Sequence, residues 1–163
     1  STLFPYTTLF RSACAIAKSH KQPYKGTGTK ASEVLQVLVS DVCGPMKKRT
    51  VGGKRYFVLF ADKFSRYRFV ALLARKSDVY DEFLKLMKII YNQHGKYSNV
   101  LHCDGGGEYV NAKMRMFCEE HGIVMTNNAP YSSEQNAMAE RGNRTVMEAA
   151  KSMLYHAGLP FVY

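Results

Sequence analysis

Three acids in this 163-residue chain, Asp41, Asp104 and Glu140, occupy positions from which their side chains can meet. Asp41 follows a Val- and Leu-rich run at 34–40, and Asp104 follows a second apolar run at 99–103, so each is expected at the C-terminal end of a strand. If those strands are neighbours, the two carboxylates come within metal-bridging range. Glu140 falls one turn into a striped helix, after a polar stretch (127–135) long enough to swing that helix across the end of a sheet. Converging carboxylates repel one another unless a cation joins them, and hard oxygen ligands with open positions are what Mg²⁺ prefers. Two such ions about 3.5–4 Å apart stabilise both the attacking and the leaving oxygen of phosphoryl transfer. A single Asp or Glu is more often a solvated strand-end or helix-surface residue; only the set of three points to chemistry.

The partner class follows from charge. Against 23 Lys and Arg stand 13 Asp and Glu, a net charge of +10 that favours a polyanion: nucleic acid or an anionic membrane surface. No run approaches the 18 or so uncharged apolar residues of a membrane span, and no membrane partner is expected. The length suits one domain, and 46% apolar with 22% charged residues excludes collagen-like, coiled-coil and wholly disordered chains. Four cysteines without a C-x-x-C pair argue against a disulfide scaffold or a complete zinc site, and are read as reduced and intracellular.

The elements that must position the acids are legible along the chain. Residues 1–12 show no strand or helix period and match, residue for residue, the conceptual translation of a sequencing-adapter oligonucleotide; they are set aside. Residues 13–30 read as a basic linker, with Lys18, Lys21, Lys25 and Lys30 and no acid. Strands are expected at 34–40, 54–61 and 67–74, the last two joined by a short polar link in which Asp62 fixes the turn before Arg66. Val79, Phe83, Leu86, Met87 and Ile90 predict an amphipathic helix over 78–93. A strand at 99–103, a helix at 112–120 closed by Gly122, a strand at 123–126 and a helix at 136–156 complete the series. The last is striped by Ala139, Val146, Ala150 and Met153. An antiparallel meander followed by helical crossovers makes one mixed α/β sheet with helices on both faces.

The segments 40–46 (SDVCGPM), 56–67 (YFVLFADKFSRY), 104–109 (DGGGEY) and 135–141 (QNAMAER) resemble the integrase catalytic core of Ty1/copia-type long-terminal-repeat retrotransposons. The resemblance runs from about Cys14 to the end of the chain. Thirty-five residues lie between Asp104 and Glu140, the interval typical of the D-D-E class of integrases and transposases. It implies a ribonuclease-H-like fold with a five-stranded mixed sheet, in which Asp41, Asp104 and Glu140 hold two Mg²⁺ or Mn²⁺ ions. The implied activity is 3′-end processing and strand transfer of element DNA into target DNA, by a homo-oligomer on DNA in the host nucleus, with a cytoplasmic virus-like-particle stage. Residues 31–163 are then a catalytic core truncated at its C-terminus. Zn²⁺ belongs to an upstream module of which Cys14 matches the last ligand, while Arg11 stands at the preceding cysteine position. Gly105, Ser133 and Ala137 depart from the family's usual Asn, Pro and Gly; none removes a metal ligand.

Gln135, Asn136, Arg141 and Arg144 are the candidate DNA contacts. Arg144 shares a helical face with Glu140, where it reaches either a phosphate or, as an ordinary i,i+4 partner, the Glu itself. Asn136 equally suits a helix N-cap. Lys47, Lys48, Arg49, Lys54 and Arg55 form either a phosphate-tracking cluster or a soluble hairpin edge, and Glu108 reads as structural beside Asp104. Met114, Met147 and Met153 are expected as helix core filler. Two rival readings remain: a catalytically inactive DNA-binding or assembly module of the same fold, and a stand-alone ribonuclease-H-like nuclease.

Overall fold

Apolar and β-branched runs set the strands. The computed structural model describes residues 31–109, 111–127 and 137–159, and in them a five-stranded sheet is built from β1 (Val37–Cys43), β2 (Tyr56–Asp62), β3 (Arg68–Leu73), β4 (Val100–Cys103) and β5 (Val124–Asn127). The spatial order is β3-β2-β1-β4-β5. The first three strands are the expected antiparallel meander, and β4 and β5 run parallel to β1. Strand β2, buried along almost its whole length, reads as the continuous apolar run YFVLFAD because helices cover both of its faces.

Side-chain alternation divides the core. Leu38, Val58, Phe60, Leu101 and Cys103 face one way, where α1 (Val79–His94) and α2 (Ala112–Glu120) bury Phe83, Met87, Met114 and Cys118 against them. Phe60 and Phe83 meet with ring centroids 6.0 Å apart. Burying each such side chain contributes about 1.5–3 kcal/mol. Asp81 and Glu82 occupy the first turn of α1, complementing its dipole, and Gly95 ends it in the left-handed conformation at φ 68°. Asn111 caps α2, its side-chain oxygen accepting from Met114 N–H at 2.8 Å. Val39 and Ala61 face the other way, against Ala139 of α3 (Ala137–His156).

Two expectations are corrected. Strand β1 begins at Val37 and continues through Asp41 to Cys43, so Asp41 lies inside the strand and not after its end. Residues 34–36 turn instead, because Leu35 adopts φ 66° and its N–H donates to Asp62 Oδ1 at 2.9 Å. Asp62 does fix the turn before Arg66, its Oδ2 accepting from Ser65 N–H at 2.7 Å and from the Ser65 hydroxyl at 2.6 Å. The second correction concerns Met153, which is 67% exposed and fills no core, whereas Met114 is fully buried. Helix α3 packs on β1 and β2 through its first turns, and its far end passes beyond them. Residues 1–12 and 13–30, with Cys14, lie outside the described residues, as do Gln135 and Asn136.

Candidate active site

Strand register brings the first two acids together. Val39 of β1 sits beside His102 of β4 in the parallel ladder, Asp104 follows directly on the last residue of β4, Cys103, and its charge acts on Asp41. Asp41 lies on the face that α3 covers. Helix α3 approaches closely at Gly142, where any Cβ would collide with Leu59 Cδ2, and Leu59 is the register partner of Asp41. That approach lets Asn143 reach the strand. Its Nδ2 donates to Asp41 Oδ2 at 2.7 Å, while Val42 N–H donates to Asp41 Oδ1 at 3.0 Å.

The electrostatics identify Asp41 as the centre of the cluster. Burial, together with the charges of Asp104, Glu140 and Glu108 and against the Val42 hydrogen bond, pushes its carboxyl from 3.8 up to about 6. Among the described residues no Lys or Arg forms an ion pair with it. The charges of Asp104 and Glu140 therefore both act on Asp41. Among the described residues, however, no three Asp, Glu, His or Cys side chains stand together in a group able to hold an ion. Asp41 is held instead by Asn143 and Val42, and Asp104 Oδ1 by a long 3.4 Å bond from Gly106 N–H.

Loop 104–109 shapes the other side of the site. A Cβ at Gly106 would stand 2.8 Å from the Glu108 carboxylate and 3.1 Å from Asp104 Oδ1, so glycine there lets the backbone pass between the two acids. Glu108 is neutralised from outside by Lys76 Nζ at 3.3 Å, and its C=O accepts from Asn111 Nδ2 at 2.8 Å. Beneath the loop, the Ser40 and Tyr109 hydroxyls share a buried 2.6 Å hydrogen bond that ties it to β1. Burial pushes the Tyr109 hydroxyl well above its usual range. Burial and the charge of Asp104 push the Cys103 thiol up to about 12, so it stays a neutral thiol beside the acids.

The donor set is thus carboxylate oxygen with uncompensated negative charge, which suits Mg²⁺ or Mn²⁺. Among the described residues, a buried amide oxygen, Asn143 Oδ1, has no hydrogen-bond partner. Arg141 and Arg144 are exposed on α3, one and four residues beyond Glu140. Asn143 and the Ser40–Tyr109 pair were not singled out by sequence. The signal for Asn143 was a polar residue placed on the same helical face as Ala139 and Val146.

The integrase core domain family model matches residues 31–133. The chain is 35% identical over 147 residues to the retrovirus-related Pol polyprotein from transposon TNT 1-94 of Nicotiana tabacum, covering 90% of this chain and 11% of that protein. It is 33% identical to the corresponding polyprotein from transposon RE2 of Arabidopsis thaliana, covering 93% and 10%, and 31% identical to the Ty1-NL2 Gag-Pol polyprotein of Saccharomyces cerevisiae, covering 90% and 9%. It therefore spans about a tenth of the length of these relatives. Among solved structures, the simian T-cell lymphotropic virus intasome in complex with PP2A regulatory subunit B56 gamma aligns with a TM-score of 0.69 at 16% identity, over 88% of this chain and 50% of that one. The magnesium complex of the HTLV-2 integrase catalytic core, in its trimeric form, aligns at 0.56 and 18%, over 77% and 76%. These two carry the fold, a ribonuclease-H-like sheet. With the family match over most of the chain, this chain belongs to the integrase core domain family, and its relatives include Ty1/copia-type retrotransposon Pol polyproteins.

Proposed function

We propose that this domain joins retrotransposon DNA to target DNA by metal-assisted phosphoryl transfer: water first trims the 3′ end, and the freed 3′-hydroxyl then attacks a target phosphodiester. The observation that carries the reading is the accumulation of Asp104, Glu140 and Glu108 charge on a half-buried Asp41. Asp41, Asp104 and Glu140 would hold two Mg²⁺ or Mn²⁺ ions, which when bound stabilise the entering and departing oxygens.

The remaining residues hold the acids in place. Asn143 fixes the Asp41 carboxylate from α3, Gly106 N–H orients Asp104, and Lys76 neutralises Glu108, which leaves Asp41, Asp104 and Glu140 as the acids proposed to face the reacting phosphate. Arg141 and Arg144 supply cations for the phosphate backbone alongside Glu140, with Gln135 and Asn136 proposed as further DNA contacts. A homo-oligomer acting on paired DNA ends in the nucleus is the assembly this chemistry calls for.

Strand joining or resolution of branched oligonucleotides with Mn²⁺ tests the proposal. Asp41→Asn, Asp104→Asn and Glu140→Gln are each expected to abolish it while leaving DNA binding intact. Activity that survives all three substitutions overturns it, and an inactive parent that still binds DNA favours the assembly-module reading.

A further inference from the structure

Between Asp41 and Asp62 the chain has no acid, yet Lys47, Lys48, Arg49, Lys54 and Arg55 all stand on the connection from β1 to β2. That connection is a built hairpin. Met46 N–H donates to Arg55 C=O at 2.7 Å, Thr50 N–H to Lys54 C=O at 2.9 Å and Gly53 N–H to Thr50 C=O at 2.8 Å. Arg55 Nε closes on Met46 C=O at 3.3 Å, and Arg55 N–H ties the base to Leu73 C=O at 3.0 Å. Lys47, Lys48, Arg49 and Val51 project into solvent. Among the described residues none of the five cations forms an ion pair.

The hairpin leaves the sheet from the edge that carries the acids. Cys43, two residues beyond Asp41, pairs with Phe57 where it begins. Its base adjoins the short 3₁₀ turn Lys76–Asp78. There burial pushes the Asp78 carboxyl up, but hydrogen bonds from Arg75 and the charges of Arg75 and Lys54 outweigh it and hold the carboxyl below its usual range. Lys76 in turn meets Glu108, and a cleft of about 580 Å³ between this turn and the start of α2 is lined by Arg75, Lys76, Asn111 and Lys113. Cations thus run from the hairpin past the acid edge.

The hairpin has little with which to read a sequence. Residues 44–55 contain no Asn, Gln, Asp or Glu, and the one hydroxyl, Thr50 Oγ1, already accepts from Lys54 N–H at 3.1 Å. Clustered Lys and Arg without such partners hold phosphates and leave base edges unread. We infer that the β1–β2 hairpin is a phosphate-tracking arm that holds a duplex of arbitrary sequence beside the acid cluster. Naming that duplex as target DNA rests on the integrase reading above.

The test compares two triple variants of the whole chain on two duplexes of unrelated sequence over a salt series. Lys47→Ser, Lys48→Ser and Arg49→Ser strip the hairpin; Lys85→Ser, Lys88→Ser and Lys96→Ser remove the same charge from exposed positions on and after α1. The hairpin variant is expected to flatten log K against log salt by about 0.9 per phosphate released, hence by about 2 to 3, equally on both duplexes. The control keeps the parental slope, and Lys47→Arg with Lys48→Arg keeps it too. Equal flattening in both triple variants reduces the effect to net charge and overturns the inference, as does a loss confined to one duplex. If the parent joins no strands but the hairpin-specific loss appears, the integrase reading falls and the duplex-binding arm stands. If joining occurs and the hairpin variant binds like the control, the arm alone falls.

Discussion

At Asp41, hydrogen bonding and electrostatics pull in opposite directions. Asn143 and Val42 each donate to one carboxylate oxygen, yet burial and three neighbouring acids raise the group to about 6. Because that value lies above 3.8, the stability Asp41 contributes is fully present below 3.8 and is lost as pH rises through about 6. Metal-free protein carrying Asp41→Asn should therefore melt progressively higher than the parent as pH is raised from about 4 to about 6.5, with the difference smallest below about 4 and level above about 7. Melting curves of the two proteins check this, and a constant offset across that range would remove the acid cluster as its cause. Asn143→Ala separates positioning from stability. It deletes a hydrogen bond to a charged group, worth about 1.5–3 kcal/mol, but also an unsatisfied buried Oδ1 costing about 1–3, so the net change in stability is expected to be small. Mn²⁺ affinity, measured by calorimetric titration, should nevertheless fall, since the Asp41 carboxylate loses the contact that aims it. The three acids could be proposed from the sequence because Asp and Glu announce their chemistry and their spacing matches the D-D-E interval. Asn143 could not be, because residue type says nothing of a partner 102 positions away.

Among the elements, α3 decides whether the third acid reaches the sheet. Its approach depends on Gly142 against the fully buried Leu59. Replacing Gly142 with Ala gains about 1 kcal/mol of helix propensity, but the added methyl must displace a core side chain, an overpacking that costs about 1–3 kcal/mol. Gly142→Val adds a second branch and a poorer helix former. Both variants are expected to melt lower than the parent, Val more so, and to lose strand joining out of proportion to stability, because Glu140 and Asn143 ride on the same two turns. A Gly142→Val protein with parental melting and activity would show that α3 sits farther from β2. Element boundaries were read from apolar runs, which is why β1 was expected to start at residue 34: Val34 and Leu35 continue the run, but the backbone turns at Leu35 to meet Asp62, a tertiary contact that no local pattern encodes. The stripe on α3 was overextended to Met153 for a related reason, since periodicity shows which side of a helix is apolar and not how far its neighbour extends.

For the whole molecule, the meander followed by crossovers made the mixed sheet legible, and the parallel pairing of β1 with β4 brings two acids 63 residues apart in sequence close enough for the charge of Asp104 to act on Asp41. Charge is distributed just as unevenly. A net charge of +10 surrounds a half-buried Asp41 on which the charges of Asp104, Glu140 and Glu108 act, so the protein presents a wide cationic surface with a small anionic centre. The two regions should respond differently to salt. Exposed cations are screened within a Debye length, which shrinks to under about 5 Å at about 0.5 M, whereas partly buried acids are screened far less. Saturating duplex DNA is therefore expected to raise the melting temperature at low salt, by the equivalent of about 2.7 kcal/mol at a hundredfold excess over Kd, and to lose that effect by about 0.5 M salt. Stabilisation by Mn²⁺ should persist over the same range in the parent and be absent from Asp41→Asn. Parallel decay of both effects in a thermal-shift series would place metal and DNA on the same exposed surface, and would contradict a site in which the fold itself gathers the acids.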